Sequence, residues 1–119
     1  MRIAILDPAA GISGDMTLGA LVALGLERSW LEALPARLGL PGVGVLIRNV
    51  RRAGVESCQI EFRIPEQPHG RHLGELVEMV ERAPVSEWVK DRAIRAFRLI
   101  GEAEGRVHGV APEQVHLHE

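Results

Sequence analysis

The spacing of apolar residues at the start of this 119-residue chain predicts a strand followed by a helix. Residues 3–6 form a short apolar run that predicts a buried strand, and Asp7 stands at its end. Apolar side chains at helical spacing then predict a helix over residues 14–24, which Gly25 ends. The polar, glycine-rich stretch between the two elements is therefore a loop at the carboxyl end of a strand.

Three further helices follow from the same periodicity. The first is expected between a cap at Ser29 and a terminator at Gly39, and the second covers residues 72–82. Ser86 is expected to cap a longer helix that reaches about His108. The apolar stripe that we expect this last helix to bury comprises Val89, Ala93, Ala96, Phe97, Ile100, Ala103 and Val107.

Two strands are predicted in the middle of the chain. They cover residues 43–50 and 55–64, and the short connection that contains Gly54 favours an antiparallel hairpin. We therefore predict one domain over residues 1–119 of the α/β (α+β) class. The expected form is a two-layer sandwich: a mixed sheet of three to four strands with helices on one face, resembling a ferredoxin-like arrangement with doubled helices.

Composition narrows the chemistry. The formal net charge is −2, so nucleic acid is not an expected partner, and no apolar run is long enough to cross a bilayer. The lone Cys58 excludes an internal disulfide and favours a cytoplasmic protein, and we expect it to be a packed thiol. Lys90 is the sole lysine and tyrosine is absent, which leaves Asp, Glu, His, Ser, Arg or a metal for any reaction.

The loop after the first predicted strand is the first candidate site. Gly11 and Gly14 permit tight backbone turns, Ser13 is a suitable N-cap, and Asp15 falls in the first turn of the following helix. Loops at this position often form active sites in α/β proteins. Glycine, serine and aspartate are also what an ordinary strand-to-helix turn requires, so Asp15 could only compensate the helix dipole.

Histidines provide the second candidate site. They are His69, His72, His108, His116 and His118. If the chain end is extended, His116 and His118 project from one face with Cα atoms about 6.5–7 Å apart, a separation that suits one divalent ion. Glu119 could join them if the chain bends, and His69 or His72 could complete the ligand set. The alternative is a solvated tail, and His108 is explained by its place at a helix C-terminus.

Two stretches together resemble the LarC family of nickel insertion proteins. They are DPAAGISGDMTLGAL at residues 7–21 and EAEGRVHGVAPEQVHLHE at residues 102–119. Residues 50–54 and 69–73 also look like landmarks of that family. Leu117 stands where the family commonly has phenylalanine, a change that should not affect ligation by the histidines beside it.

The resemblance implies an enzyme of the lyase class, a nickel chelatase or cyclometallase. It would insert Ni²⁺ into pyridinium-3,5-bisthiocarboxylic acid mononucleotide, with CTP and a divalent cation such as Mn or Mg, to complete the nickel-pincer cofactor. Nickel then bonds to a ring carbon and to two sulfurs, and a lactate racemase-type apoenzyme accepts the product.

Roles for the loop follow from that chemistry. Asp7 or Asp15 could accept the ring proton or bind metal, and the helix N-terminus after Ser13 could receive the phosphate, with Gly11 and Gly14 alongside. We expect this acidic loop and the terminal histidines to meet in one pocket. Two other functions stay open: a nickel-binding chaperone, which needs only the histidines, and a nucleotide-binding regulatory domain, which needs only the loop.

The resemblance also implies a longer protein. Family members continue past the HLHE sequence, and their CTP-binding function belongs to a C-terminal domain. We therefore expect this chain to be the N-terminal part of such a protein or a separately encoded part. Its oligomeric state stays open between a monomer and a homo-oligomer.

Overall fold

A computed structural model describes residue 1, residues 3–66 and residues 70–117. The elements are α1 (Gly14–Ala23), α2 (Arg28–Arg37), β1 (Gly44–Arg52), β2 (Val55–Arg63), β3 (Arg71–His72), α3 (Leu73–Arg82), α4 (Glu87–His108), the 3₁₀ turn Pro112–Gln114 and β4 (His116–Leu117). The contacts divide the chain into two compact units. The first comprises residues 1–33 and 43–63, and the second comprises residues 34–42 and 64–119. Among the described helices, none combines the length and apolarity needed to cross a membrane.

The first unit is built on a hairpin. β1 and β2 pair antiparallel from Gly44 opposite Arg63 to Arg52 opposite Val55. The connecting residues Ala53 and Gly54 have φ angles of 48° and 82°. Positive φ at both central residues is the signature of a type I′ turn, whose twist matches that of the strands it joins. The predicted hairpin is confirmed, with boundaries shifted by one or two residues.

Helix α1 packs on β2 through the face that contains Gly19. A Cβ atom on Gly19 would overlap the carbonyl oxygen of Cys58, so the helix and the strand touch at the backbone. Val22, which follows Gly19 in α1, is 8% exposed, and Ile60, which follows Cys58 in β2, is 3% exposed. Cys58 itself is half-buried. The predicted helix over residues 14–24 is confirmed. Gly19 allows its backbone to contact β2.

The predicted first strand is wrong. Residues 3–6 have no strand conformation, and Ile5 and Leu6 are 89% and 73% exposed. A strand requires a neighbour to take up its backbone N–H and C=O groups, and no described strand pairs with this run. The α+β class is confirmed, but the described strands form two antiparallel pairs, β1–β2 and β3–β4, in place of one mixed sheet.

The second unit is built around α3 and α4. Leu73, at the start of α3, is 6% exposed, and its Cδ2 atom lies 2.6 Å from where a Cβ on Gly101 of α4 would be. A Cβ on Gly105 would lie 2.8 Å from the carbonyl oxygen of Val110. These two glycines therefore mark the side of α4 that its neighbours approach most closely.

The predicted apolar stripe of α4 is buried only in part. Val89, Ile100 and Val107 are 41%, 48% and 78% exposed, whereas Gly101 and Gly105 are buried. The helix turns its glycines inward because backbone approach is closest where no side chain intervenes. Ala93 and Phe97 of the predicted stripe are half-buried, and its other members are exposed.

The helix ends are set by local groups. Ser86 caps α4 as predicted, since its Oγ accepts a hydrogen bond from the Val89 N–H at 3.3 Å, and Gly109 ends the helix with a φ of 68°. Helix α2 starts before the predicted cap at Ser29. The carbonyl of Glu27 accepts hydrogen bonds from the N–H groups of Trp30 and Leu31, so the first turn begins there.

Candidate functional site

The glycine loop leads into α1 through two consecutive turns. Gly11 has a φ of 101°, and its N–H donates to the carbonyl of Pro8 at 2.9 Å. Ser13 follows in an extended conformation as the N-cap residue, and its carbonyl accepts from both the N–H and the Oγ1 of Thr17 at 2.9 Å. Ser13 therefore occupies the predicted N-cap position, with Gly14 as the first residue of the helix, but its side chain makes no capping hydrogen bond.

Within this loop, Ser13 and Asp15 are joined directly. The Ser13 hydroxyl donates to Oδ1 of Asp15. This hydrogen bond, with a second from the Met16 N–H, holds the pKa of the Asp15 carboxyl below its ordinary value. Asp15 is consequently a charged, exposed carboxylate at neutral pH, and a phosphate at the same helix end would meet that negative charge.

The second cluster is a pair of imidazoles across a short ladder. β3 and β4 pair antiparallel with His72 opposite His116 and Arg71 opposite Leu117. Directly opposed residues of an antiparallel pair project from one face. The ring centroids of His72 and His116 are 3.8 Å apart, with 46° between the ring planes, and both residues are exposed.

Neighbouring groups hold each histidine in place. His72 is the N-cap residue of α3, and its backbone N–H donates to Oε2 of Glu75 at 2.8 Å. His116 directly follows Val115, which is 3% exposed and so anchors the strand. Sequence reasoning missed Glu75, although its place three residues after the cap is the signal that finds such a partner.

The remaining predicted site residues are distributed as follows. His69, His118 and Glu119 lie outside the described residues. Asp7, Ser13 and Asp15 belong to the first unit, and His72 and His116 to the second, so a pocket shared by the two sets stays a prediction. Across the part of the chain that the structure describes, no three His, Cys, Asp or Glu residues are grouped closely enough to hold a metal ion.

His108 stands apart from the imidazole pair. It is the last residue of α4, and its Nε2 lies 3.1 Å from Oε2 of Glu104 one turn earlier. Both side chains are more than two-fifths exposed. His108 therefore has a local partner on its own helix and serves as a matched control for experiments on His72 and His116.

Comparison with known proteins assigns this chain to a family. The model of the nickel insertion protein family matches residues 4–119. The chain belongs to the nickel insertion protein family. The two candidate clusters both lie within the matched residues.

Curated relatives of the family extend well beyond this chain. A protein from Geotalea daltonii, provisionally named a nickel insertion protein, is 43% identical over the whole chain, which covers 31% of the relative. Relatives from Thermotoga sp. strain RQ2 and Geobacillus kaustophilus are 34% and 35% identical, again over the whole chain, which covers 33% and 31% of them. Both of these are named pyridinium-3,5-bisthiocarboxylic acid mononucleotide nickel insertion protein. No solved structure matches the chain.

Proposed function

We propose that this chain contributes to the insertion of Ni²⁺ into pyridinium-3,5-bisthiocarboxylic acid mononucleotide. Membership of the nickel insertion family and the names of two relatives support this substrate. The observation that carries the proposal is the exposed pair His72 and His116, whose rings are adjacent across β3 and β4. Imidazole nitrogen is a good ligand for Ni²⁺.

Nickel is the cargo in this scheme. His72 and His116 supply two nitrogen ligands once their rings have rotated apart from the present contact. His69, His118 and Glu119 are proposed to complete the donor set, because they adjoin the pair in the sequence and carry suitable donor atoms.

The acidic loop is proposed to act on the organic substrate. Forming a nickel–carbon bond requires the pyridinium ring to lose a proton, and Asp7 or Asp15 would accept it or bind metal. The lowered pKa of Asp15 favours a role as an anionic ligand over one as a base, because a weakly basic carboxylate is a poor proton acceptor. Gly11, Ser13 and Gly14 would then shape the space for the mononucleotide.

The wider reaction is also part of the proposal. The chain spans about a third of the length of its curated relatives, so the complete enzyme is expected to use residues beyond it. We propose that it is a chelatase of the lyase class that works in the cytoplasm, uses CTP with Mn²⁺ or Mg²⁺ bound to a C-terminal domain, and supplies a lactate racemase-type apoenzyme.

Calorimetric titration with NiCl₂ tests the metal site. Wild type and His108→Ala should bind Ni²⁺ alike, whereas His72→Ala and His116→Ala should each weaken binding about tenfold or more. Because all three positions are exposed, the variants should keep their fold, which circular dichroism checks. Equal affinity in all four proteins would remove the histidine pair from the site.

A nickel chaperone is the second candidate, favoured by the fact that the imidazole pair is formed entirely within the second unit. Nickel insertion by the longer relative from Geobacillus kaustophilus separates the two functions. Asparagine variants at its counterparts of Asp7 and Asp15 should lose insertion and retain nickel binding if the protein is an insertion enzyme. Full insertion in both variants would exclude the two aspartates from the reaction.

A further inference from the structure

The imidazole pair lies on the shortest ladder in the described chain. β3 and β4 contain two residues each, so few hydrogen bonds hold β4 in place. β3 leads directly into α3, and β4 follows the 3₁₀ turn that packs against α3 and α4. The ladder therefore pairs the residues just before α3 with the residues that follow α4 and the 3₁₀ turn.

We propose that Ni²⁺ bound by His72 and His116 locks β4 onto β3, and that loss of the metal lets β4 detach. This inference rests on the proposed function, because it requires the histidine pair to bind nickel. A metal shared by two directly opposed residues acts as a cross-link, and the link closes the whole chain segment that contains α3 and α4. A ladder of two residues gains most from such a link because it has little stability of its own.

Linkage makes the effect reciprocal. A metal that binds only the paired arrangement stabilises that arrangement, and detachment of β4 lowers the affinity for the metal by the same factor. A process that pulls β4 away would therefore release nickel. The exposed rings leave the ion accessible to an incoming ligand.

The coupling between nickel binding and β3–β4 pairing would act when nickel is transferred to the substrate. In the exchange, two nickel–nitrogen bonds to His72 and His116 break and two nickel–sulfur bonds to the thiocarboxylates form, while the metal remains Ni²⁺. Thiocarboxylate sulfur is a softer donor than imidazole, so the substrate offers nickel a different kind of ligand. After the exchange, no metal bridges the two histidines, and the two-residue ladder pairs β4 with β3 without that cross-link.

Hydrogen–deuterium exchange with and without NiCl₂ tests the lock on the chain as it stands. With Ni²⁺ at a hundredfold excess over its dissociation constant, peptides that contain Val115 and His116 should exchange roughly a hundredfold more slowly. Peptides from the β1–β2 hairpin should be unaffected. His108→Ala should show the same protection as wild type, whereas His116→Ala and the size-conserving His116→Gln should show none.

The outcomes separate the lock from the metal site itself. If calorimetry shows nickel binding that His116→Ala removes, but exchange in wild type does not slow, the lock is wrong and the proposed site stands. If nickel does not bind, or binds equally well without His116, the proposed site fails and the lock with it. Protection that persists in both His116 variants would also overturn the lock.

Discussion

Gly19 of α1 lies against the carbonyl oxygen of Cys58 in β2 with no room for a Cβ atom between them. Asp15 is one helical turn earlier, so it shares a helix face with Gly19. The contact therefore fixes the height of α1 above the hairpin and, with it, the position of the acidic loop relative to the hairpin. A glycine that looks unremarkable in a helix-forming sequence is thus a packing requirement.

Gly19→Ala should destabilise the protein by about 1–3 kcal/mol, because the methyl group must push α1 and β2 apart. Gly74→Ala is the matched control, since a Cβ at that position meets nothing within 4 Å. The control should be neutral or stabilise by up to about 1 kcal/mol through helix propensity. Urea denaturation measures both, and an equal response of the two variants would contradict the close contact.

Gly101→Ala should also destabilise, by about 1–2 kcal/mol, because its methyl group would lie 2.6 Å from Cδ2 of Leu73. The obstacle here is the end of a side chain. Shortening it by Leu73→Ala should therefore make the Gly101→Ala penalty smaller than it is in the wild-type background. A double-mutant cycle of unfolding free energies tests the contact, and strictly additive effects would show that the two residues do not meet.

The Ser13 hydroxyl should control the titration of Asp15. Its hydrogen bond is the largest cause of the lowered pKa, so Ser13→Ala should raise the pKa of Asp15 toward its ordinary value. An NMR titration of the side-chain carboxyl carbon measures this directly. An unchanged Asp15 pKa in the variant would show that the hydroxyl does not act on the carboxylate.

The same shift has a definite sign in stability. A carboxyl whose folded pKa is below its unfolded value of 3.8 stabilises the native state above that value, and the contribution is lost as pH falls through the folded pKa. Wild type should therefore lose stability relative to Ser13→Ala only on acidification below about pH 4. Denaturation at neutral and acidic pH should show this difference, which must vanish when Asp15→Asn is added.

Local signals in the sequence were sufficient for the elements whose ends depend on neighbouring residues. Ser86 caps α4 and the helix ends at His108, both as predicted, and the residues around Gly54 form the predicted hairpin turn. These features succeed because a cap or a type I′ turn depends on two or three adjacent residues.

Features that depend on distant residues were harder to predict. The apolar run at residues 3–6 has the composition of a strand, but strand formation requires a partner that composition does not specify. The buried side of α4 follows Gly101 and Gly105 because other segments approach them, which helical periodicity does not reveal.

The histidine pair shows the same limit. The alternation at the chain end indicated that His116 could bind metal, and His72 was one of two candidates to complete the site. The direct opposition of His72 and His116 depends on the register of β3 with β4. With only two residues in each strand, no hydrophobic pattern is long enough to specify that register.

Nickel K-edge X-ray absorption of the Ni²⁺-loaded chain tests the central claim most directly, because it reports the atoms bound to the metal. We predict at least two imidazole ligands in wild type and in His108→Ala. The double variant His72→Ala/His116→Ala should show weaker imidazole scattering than wild type. A spectrum without imidazole in wild type, or one that the double variant leaves unchanged, would contradict the proposed nickel site.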